Sequence, residues 1–490
     1  MKFFLKTYGC QMNVHDSEKI AGIFSESGYD RSDEAGDADV VVLNTCSIRQ
    51  KAEHKVFSDL GRLKTAKARN PDLKIAVAGC IAQQIGSSLF KRFPIVDFVF
   101  GPGNIDSLGK WLNGNAITKD EGRPRKVLKE LERRGRWTRD EGRHSQFSIL
   151  DSQFSALNDN PEYHLKTLPI NREGRVKAWV SIMYGCDNFC AYCVVPYTRG
   201  RERSRPSRDI CKEIQDIAKQ GYKEITLLGQ NVNSYGKNLA ENIDFPELLK
   251  VIHEVPGIER IRFVTSHPRD LSEKLIKVMS DLPRVCEHLH LPIQSGADKV
   301  LSLMNRGYSY EEYKGKINTL RKAVPAVAIT TDIITGFPGE TDEDFECTAN
   351  ALKEMEYDGI FAFKYSKRPG TKALDLPGHV DEKIKSQRLS AVLKLQEEIT
   401  FNKNKTLEGQ ILEVLVEGPS ASDKDKLTGR TRTNKIVNFH PVSSNEFVLK
   451  KGDSNGVYGD RELIGKLVNI KILEAKMHSL LGEVESSESP

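Results

Sequence analysis

The sequence predicts an α/β chain in three folded parts. These are an N-terminal parallel α/β domain, a central partial (β/α) barrel of about six units, and a small antiparallel β-barrel at the C-terminus. Three observations predict it. Short β-branched runs alternate with helical patterns at the N-terminal end, the same alternation resumes for six units after residue 173, and from about residue 404 short strands separated by Gly and Ser turns take over. A chain of 490 residues is also too long for one ordinary core.

The expected boundaries are 1–115, 116–172, 173–403 and 404–485. In the first part the strands are "KFFLKTY", "DVVVLNT", "KIAVAG" and "VDFVF", and "DSEKIAGIFSESG" reads as a helix with Asp16 or Ser17 as N-cap. Residues 116–172 read as a charged linker or insertion. Within it 119–143 carries ten Lys/Arg against six Asp/Glu, which suits a solvated connector or an RNA-contacting arm. The six barrel strands are "KAWVSIM", "EITLLG", "RIRFVTS", "HLHLPI", "VAITTDIIT" and "GIFAFKY", with helices such as "SRDICKEIQDIAKQGY" between them. "DEKIKSQRLSAVLKLQEEITFNKN" closes the part as a long helix. The last part offers "QILEVLVEG", "KLTGRTRTNKIVNF", "EFVLKK" and "LIGKLVNIKILEA", a pattern of the oligonucleotide-binding barrel sort.

Composition narrows the function classes. The chain is 38% hydrophobic and 29% charged, ordinary for a globular protein, and no apolar run is long enough to span a membrane. "MKFFLKTYGC" is cut short by Thr7 and Cys10 as a secretory signal, so the expected location is the cytoplasm and no membrane partner is expected. With 73 Lys+Arg against 68 Asp+Glu, the net charge of +5 permits a nucleic-acid partner without requiring one. Nine cysteines in a chain read as cytoplasmic suit reduced thiols and metal ligation better than a disulfide framework.

"GCDNFCAYC" places Cys186, Cys190 and Cys193 within eight residues, just after the strand "KAWVSIM". Such loops sit at the C-terminal rim of a barrel, where sites are built. Thiolates are soft ligands that suit zinc or iron–sulfur clusters. A zinc ion needs a fourth ligand from elsewhere. A four-iron cluster held by three cysteines keeps one iron open to an outside ligand. A second trio, Cys10, Cys46 and Cys80, is scattered in sequence, but each member follows a predicted parallel strand. Strand ends of an open α/β sheet share one edge, so these three can converge, and again one iron could stay open. Cys211, Cys286 and Cys347 lack any pattern and are expected to be small core residues.

The C-x3-C-x2-C spacing resembles the radical S-adenosylmethionine enzymes. The resemblance implies that the open iron chelates the methionine part of S-adenosylmethionine, and that a 5′-deoxyadenosyl radical follows its one-electron cleavage. It assigns Tyr192 to the adenine, Gly229, Gln230 and Asn231 ("LLGQN") to the methionine amino group, and Gln294, Ser295, Arg306 and Phe337 to further cofactor-facing segments. "LLGQN" departs from the commoner Gly-Gly-Glu form, and "TDIITGFPGE" can equally be a plain strand–helix turn.

Over nearly its whole length the chain resembles the methylthiotransferases of that superfamily, in which an N-terminal three-cysteine domain, a radical core and a TRAM domain follow in order. "YGCQMNVHDSE" and "CVVPYTRGRERSRP" are most similar to the branch acting on tRNA adenosine that bears an isopentenyl group beside the anticodon. The resemblance implies two 4Fe-4S clusters, one binding S-adenosylmethionine and one auxiliary and sulfur-donating, two S-adenosylmethionine per turnover, and methylthio insertion at C2 of the adenine. No side-chain base can remove that aromatic hydrogen, so the hard step belongs to cofactors and no catalytic side chain is expected. The expected partners are the tRNA anticodon stem-loop and a flavodoxin-like or ferredoxin-like electron donor, with the chain acting as a monomer. The base must be splayed out, with Arg199, Arg201, Arg203 and Arg205, and the cluster Lys424, Lys426, Arg430, Arg432 and Lys435, as candidate RNA contacts. Sibling enzymes modify threonylcarbamoyl-adenosine or a ribosomal-protein aspartate. A non-catalytic iron–sulfur RNA-binding protein is the alternative from another class.

Overall fold

The computed structural model describes residues 1–47, 50–113, 154–157, 168–440 and 460–485. Most of the 116–172 segment, with its charged stretch, and the expected strand "EFVLKK" lie outside the described residues. By contacts the chain forms two compact bodies. One takes 1–173, 183–205 and 368–374, and the other takes 174–182, 206–367 and 375–490.

The first body is built on a six-stranded sheet in the order β2-β1-β3-β4-β5-β6, parallel throughout. The strands are β1 (Lys2–Thr7), β2 (Asp30–Arg31), β3 (Val40–Thr45), β4 (Lys74–Gly79), β5 (Phe98–Phe100) and β6 (Phe154–Ala156). Successive strand side chains point to opposite faces. Val40 and Val42 therefore join a core with Phe3, Phe24 and Phe98, while Val41 and Leu43 join another with Val56, Leu60 and Ile75. Burial on both faces explains why β3 is apolar without alternation. Within the 116–172 segment, expected as a charged linker or insertion, Phe154–Ala156 pairs with β5 and extends the sheet.

Helix α1 spans Gln11–Glu26, with its cap six or seven residues earlier than expected at Asp16 or Ser17. Gly9 at φ 137° breaks the strand, and extended Cys10 takes the cap position. Asp16 and Ser17 are instead buried inside the helix, where Asp16 Oδ2 accepts from Arg199 and Ser17 accepts from Asn44, while Asp16 Oδ1 has no hydrogen-bond partner. α2 (Gln50–Arg69) and α3 (Cys80–Ile85) complete the elements around the sheet's C-terminal edge.

The second body holds all six expected barrel strands in two parallel three-stranded arcs. β7 (Lys177–Ser181), β10 (Glu224–Leu228) and β11 (Arg260–Phe263) form one, and β12 (His288–His290), β13 (Ala328–Thr335) and β14 (Gly359–Lys364) the other. A parallel bridge between Ile261 and Val285 links them. The short strands β8 (Met183–Tyr184) and β9 (Arg203–Ser204), which flank the cysteine loop, fall in the first body.

The C-terminal strands β15 (Ile411–Pro419), β16 (Leu427–Thr431), β17 (Ile436–His440), β18 (Leu467–Ala475) and β19 (Leu480–Val484) close into a barrel around Val414, Val416, Phe439 and Ile470. The expected small antiparallel barrel is present, with one parallel seam between β17 and β19. Five strands cannot alternate direction all the way round a ring, so one neighbouring pair must be parallel. "KLTGRTRTNKIVNF" is likewise two strands, with a turn in which Asn434 sits at φ 67°.

Two β11 arginines fasten this barrel. Arg260, with no exposed side-chain surface, donates to the Arg430 carbonyl at 2.6 Å and to Glu413 at 2.7 Å. Arg262 pairs with Glu224 and donates to the carbonyls of Thr431 and Arg432, each at 2.7 Å. Arg260→Ala leaves buried carbonyls unmet and should cost about 3–5 kcal/mol, read as a lowered urea midpoint.

Candidate active site

All six patterned cysteines belong to the first body. Cys10 caps α1 just beyond β1, Cys46 directly follows β3, and Cys80 opens α3 directly after β4. Adjacent parallel strands put these three ends on one edge of the sheet. Cys46 and Cys80 are buried and Cys10 partly so. A hydrogen bond with Cys46 pulls the Cys10 thiol down to about 6 against burial, helped by the charge of Arg199 and by the amides of Met12 and Asn13 at the start of α1. Burial pushes Cys80 up, and Arg199 opposes it.

A polar frame holds the edge together. Asn13 donates to the Thr45 carbonyl at 3.1 Å, Asn44 donates to the Asn13 carbonyl at 2.8 Å and to Ser17 at 2.9 Å, and the Cys10 Sγ lies 3.4 Å from Asn13 Oδ1. Two glycines let the backbone approach this closely. A Cβ on Gly9 would stand 2.4 Å from the Cys46 Cβ, and one on Gly79 would stand 2.3 Å from the Thr45 carbonyl oxygen. Gly79 also has φ 91°. Gly79→Ala should therefore destabilise the chain by about 2–4 kcal/mol and lower iron uptake on reconstitution, measured by denaturation and iron assay.

In the 186–193 loop, Gly185 at φ 73° and Phe189 at φ 47° turn the chain sharply. A Gly185 Cβ would stand 2.0 Å from the Arg201 carbonyl oxygen. The Cys193 amide donates to the Cys190 carbonyl at 2.9 Å, the Ala373 amide to the Ala191 carbonyl at 2.8 Å, and Arg201 covers the Phe189 ring at 5.3 Å. Tyr192 and the three cysteines are half-buried. Burial raises Cys186 to about 11. Among the described residues no three Cys, His, Asp or Glu side chains stand as ligands of one metal ion. Cysteines of a cubane bind different irons, so they need not crowd together in that way. The all-thiol donor sets and the glycine-opened backbone fit clusters.

The second body carries the other cofactor candidates. Gly229 and Gln230 directly follow β10. Gln230 Oε1 is buried without a hydrogen-bond partner. Asn231 uses its amide internally, donating to Asp270 at 2.7 Å and accepting from the His267 amide at 3.1 Å. Gln294 has φ 76°, and Ser295 meets Thr348 at 3.2 Å. Arg306 donates to the Pro292 carbonyl at 2.8 Å and to the Tyr308 hydroxyl at 3.0 Å. Phe337 is wholly buried against Tyr365, and Glu340 of the same turn is pinned by Arg388 at 2.6 Å, so "GFPGE" acts here as a packed strand–helix turn.

Sequence reasoning missed Asn233, Ser266 and His267. Like Gln230, they have side-chain atoms that are buried and unpartnered. They follow β10 and β11, and only that position after a barrel strand could have signalled them. Burial, reinforced by Arg306 and Arg269, holds His267 neutral, down to about 2.

The basic candidates separate. Arg199 is corrected as a phosphate contact. Its side chain is 4% exposed and pairs with Asp16 at 2.7 Å. Arg201 is exposed and pairs with Asp187 at 2.8 Å, while Arg203 and Arg205 are half-buried. In the C-terminal barrel Lys424 is exposed and Lys426 pairs with Asp423. Arg430 meets Glu417, Arg432 grips Glu287 at 2.7 Å, and Lys435 bridges Asp358 and Asn404, so these three serve the second body's own structure. Arg432→Ala should cost about 1–3 kcal/mol of stability, read as a lowered urea midpoint, and leave the salt slope of RNA binding unchanged. Of the unpatterned cysteines, Cys286 is buried as expected and Cys211 half-buried, whereas Cys347 is exposed on the outer face of its helix.

Family models match three stretches of the chain. Residues 2–101 match the family described as Uncharacterized protein family UPF0004, residues 180–352 the Radical SAM superfamily, and residues 405–484 the TRAM domain. A radical S-adenosylmethionine methyltransferase, TsrM from Kitasatospora setae, solved with cobalamin and a 4Fe-4S cluster bound, is similar in fold alone. Its TM-score is 0.50 at 13% identity, over 76% of this chain and 77% of that one. A relative from Thermodesulfovibrio yellowstonii is 48% identical over 99% of each chain, and one from Carboxydothermus hydrogenoformans 45% identical over 98% of each. Both are named tRNA-2-methylthio-N(6)-dimethylallyladenosine synthase. With that identity sustained from end to end, the chain belongs to the tRNA-2-methylthio-N(6)-dimethylallyladenosine synthase family.

Proposed function

We propose that the chain methylthiolates tRNA, placing a methylthio group at C2 of N6-isopentenyladenosine beside the anticodon. The observation that carries this reading is the meeting of Cys10, Cys46 and Cys80 on one sheet edge, in the body that also holds Cys186, Cys190 and Cys193. Each trio would hold a 4Fe-4S cluster with one iron left open. Bound there with S-adenosylmethionine, the clusters supply hydrogen-atom abstraction and the sulfur. The chain's own residues orient and enclose. Asn13, Asn44 and Ser17 fix the edge on which the first trio stands. Gln230, Asn233, Ser266 and His267 offer unmet hydrogen-bonding capacity to the polar groups of S-adenosylmethionine. His267 Nδ1 accepts from the Arg269 amide at 3.2 Å, so the neutral ring carries its proton on Nε2 and can act there as a donor. Exposed Arg201 and Lys424 are suited to phosphates, with Arg203 and Arg205 at the edge of the same loop.

Among the described residues no helix is long and apolar enough to cross a membrane. The reading places the enzyme in the cytoplasm with its tRNA, as a monomer served by a flavodoxin-like or ferredoxin-like reductant. The test is anaerobic incubation of reconstituted protein with isopentenylated tRNA, threonylcarbamoylated tRNA and the ribosomal protein. Mass spectrometry should record methylthio gain on the first alone. Gain on either of the others instead overturns the substrate assignment. Failure of the reduced protein to cleave S-adenosylmethionine favours the non-catalytic RNA-binding class.

A further inference from the structure

A cavity of about 280 Å³ lies at the opposite end of the barrel strands from the candidate cofactor groups. His288 opens β12, Thr330 stands near the start of β13 and Gly359 opens β14, whereas Gln230 and Ser266 follow the far ends of β10 and β11. β13 runs eight residues, so roughly 25 Å separate the two ends. Leu393 and Gln396 of the long helix Glu382–Lys405 and Asn434 and Ser479 of the C-terminal barrel complete the wall.

Gln396 is buried and its amide is fixed, because Nε2 donates to the Tyr357 carbonyl at 2.7 Å and to the Thr400 hydroxyl at 2.9 Å. Oε1 of the same amide is buried without a partner. A buried acceptor left unmet is costly and calls for a reason. His288 is held neutral beside it, burial pushing the ring down to about 3. Asp358 and Glu397 balance Arg430 and Lys435 in the wall, so the cavity offers no net charge to an isolated phosphate. Leu393, Ile436 and Leu480 add apolar surface that suits the flat face of a ring.

The C-terminal part of the wall points to RNA. Barrels of the oligonucleotide-binding sort hold their ligand on the second and third strands and on the loops after the first and fourth. Arg430 and Ile436 belong to the second and third strands here, β16 and β17, and Ser479 to the loop after the fourth, β18. A second cavity, of about 250 Å³, shares Ser479 and Leu480 with the first and is lined by Ser422 and Lys426 from the loop after β15. The shared residues join the two cavities into one track on the ligand-binding elements of such a barrel.

We propose that the larger cavity is a second nucleobase pocket, which takes one unstacked base of the RNA substrate other than the reacting adenosine, with Gln396 Oε1 accepting from that base's exocyclic amine. The inference rests on the tRNA reading above and deepens it. Bases splayed from a loop are read in this way, by a stacking surface and by hydrogen bonds to their edges. A base held roughly 25 Å from the rim would fix the register in which the loop presents the reacting adenosine.

The test measures binding of an isopentenylated anticodon stem-loop to the full chain by fluorescence anisotropy, with each loop nucleotide in turn made abasic. One position other than the isopentenyladenosine should cost the parent about tenfold in affinity. Leu393→Trp fills the cavity from an exposed position. It should bind the intact stem-loop about tenfold more weakly and be indifferent to that abasic site. At the same position, the base ring without its amine should bind the parent about fivefold more weakly, and Gln396→Met should not distinguish the two rings. The proposal is overturned if no second position matters, if its loss is equal in the parent and in Leu393→Trp, or if the parent ignores the missing amine. Should Gln396→Met fail to fold, the Leu393→Trp comparison and the parent's response to the missing amine decide. A parent that binds no isopentenylated stem-loop removes the tRNA reading itself, which the other outcomes leave standing.

Discussion

Replacing Cys190 by alanine should abolish S-adenosylmethionine cleavage and methylthio transfer together. The loop places Cys190 between Cys186 and Cys193, with the Cys193 amide bound to the Cys190 carbonyl. Two remaining thiolates leave two irons short of ligands, which a three-cysteine site cannot absorb. The first trio uses none of this loop's side chains, so the variant should keep about half the iron of the parent. No 5′-deoxyadenosine should form above background, a loss of about three orders of magnitude or more. Measurable cleavage in this variant would mean that the loop is not where S-adenosylmethionine reacts.

Cys10→Ala should give the complementary result. Methylthio gain on tRNA should vanish, while 5′-deoxyadenosine continues to form at a rate within about threefold of the parent's. Cys10 is the right member to change, because it is the least buried of its trio and its thiol hydrogen-bonds Cys46. Removing it deletes one ligand without touching the Asn44–Ser17 bond beneath the edge. Loss of both activities would show that the two trios are structurally inseparable.

The sequence made much of this legible. The strand ends carrying Cys10, Cys46 and Cys80 could be read because β1, β3 and β4 are short apolar runs with a cysteine just past each end. The 186–193 loop could be read from spacing alone. What escaped was whatever depends on partners far along the chain. Asp16 has the local look of a helix cap, yet its partner Arg199 lies 183 residues away. Arg432 and Lys435 look like an RNA-facing charge run, yet Glu287 and Asp358 turn them inward. A charge pattern fixes composition but not direction. The polar residues beyond β11 were silent for a related reason. Ser266 and His267 acquire meaning only once burial strips them of water. Strand β6 was hidden by its setting, since three residues inside a polar stretch carry too little pattern to stand out.

The central claim is that one chain carries two three-cysteine clusters. Iron and acid-labile sulfide per chain, measured after anaerobic reconstitution of the unmodified protein, test it most directly. The two-cluster reading predicts about eight of each, falling to about four when either trio is replaced by alanine. About four in the unmodified protein, unchanged on replacing Cys10, Cys46 and Cys80, would contradict it.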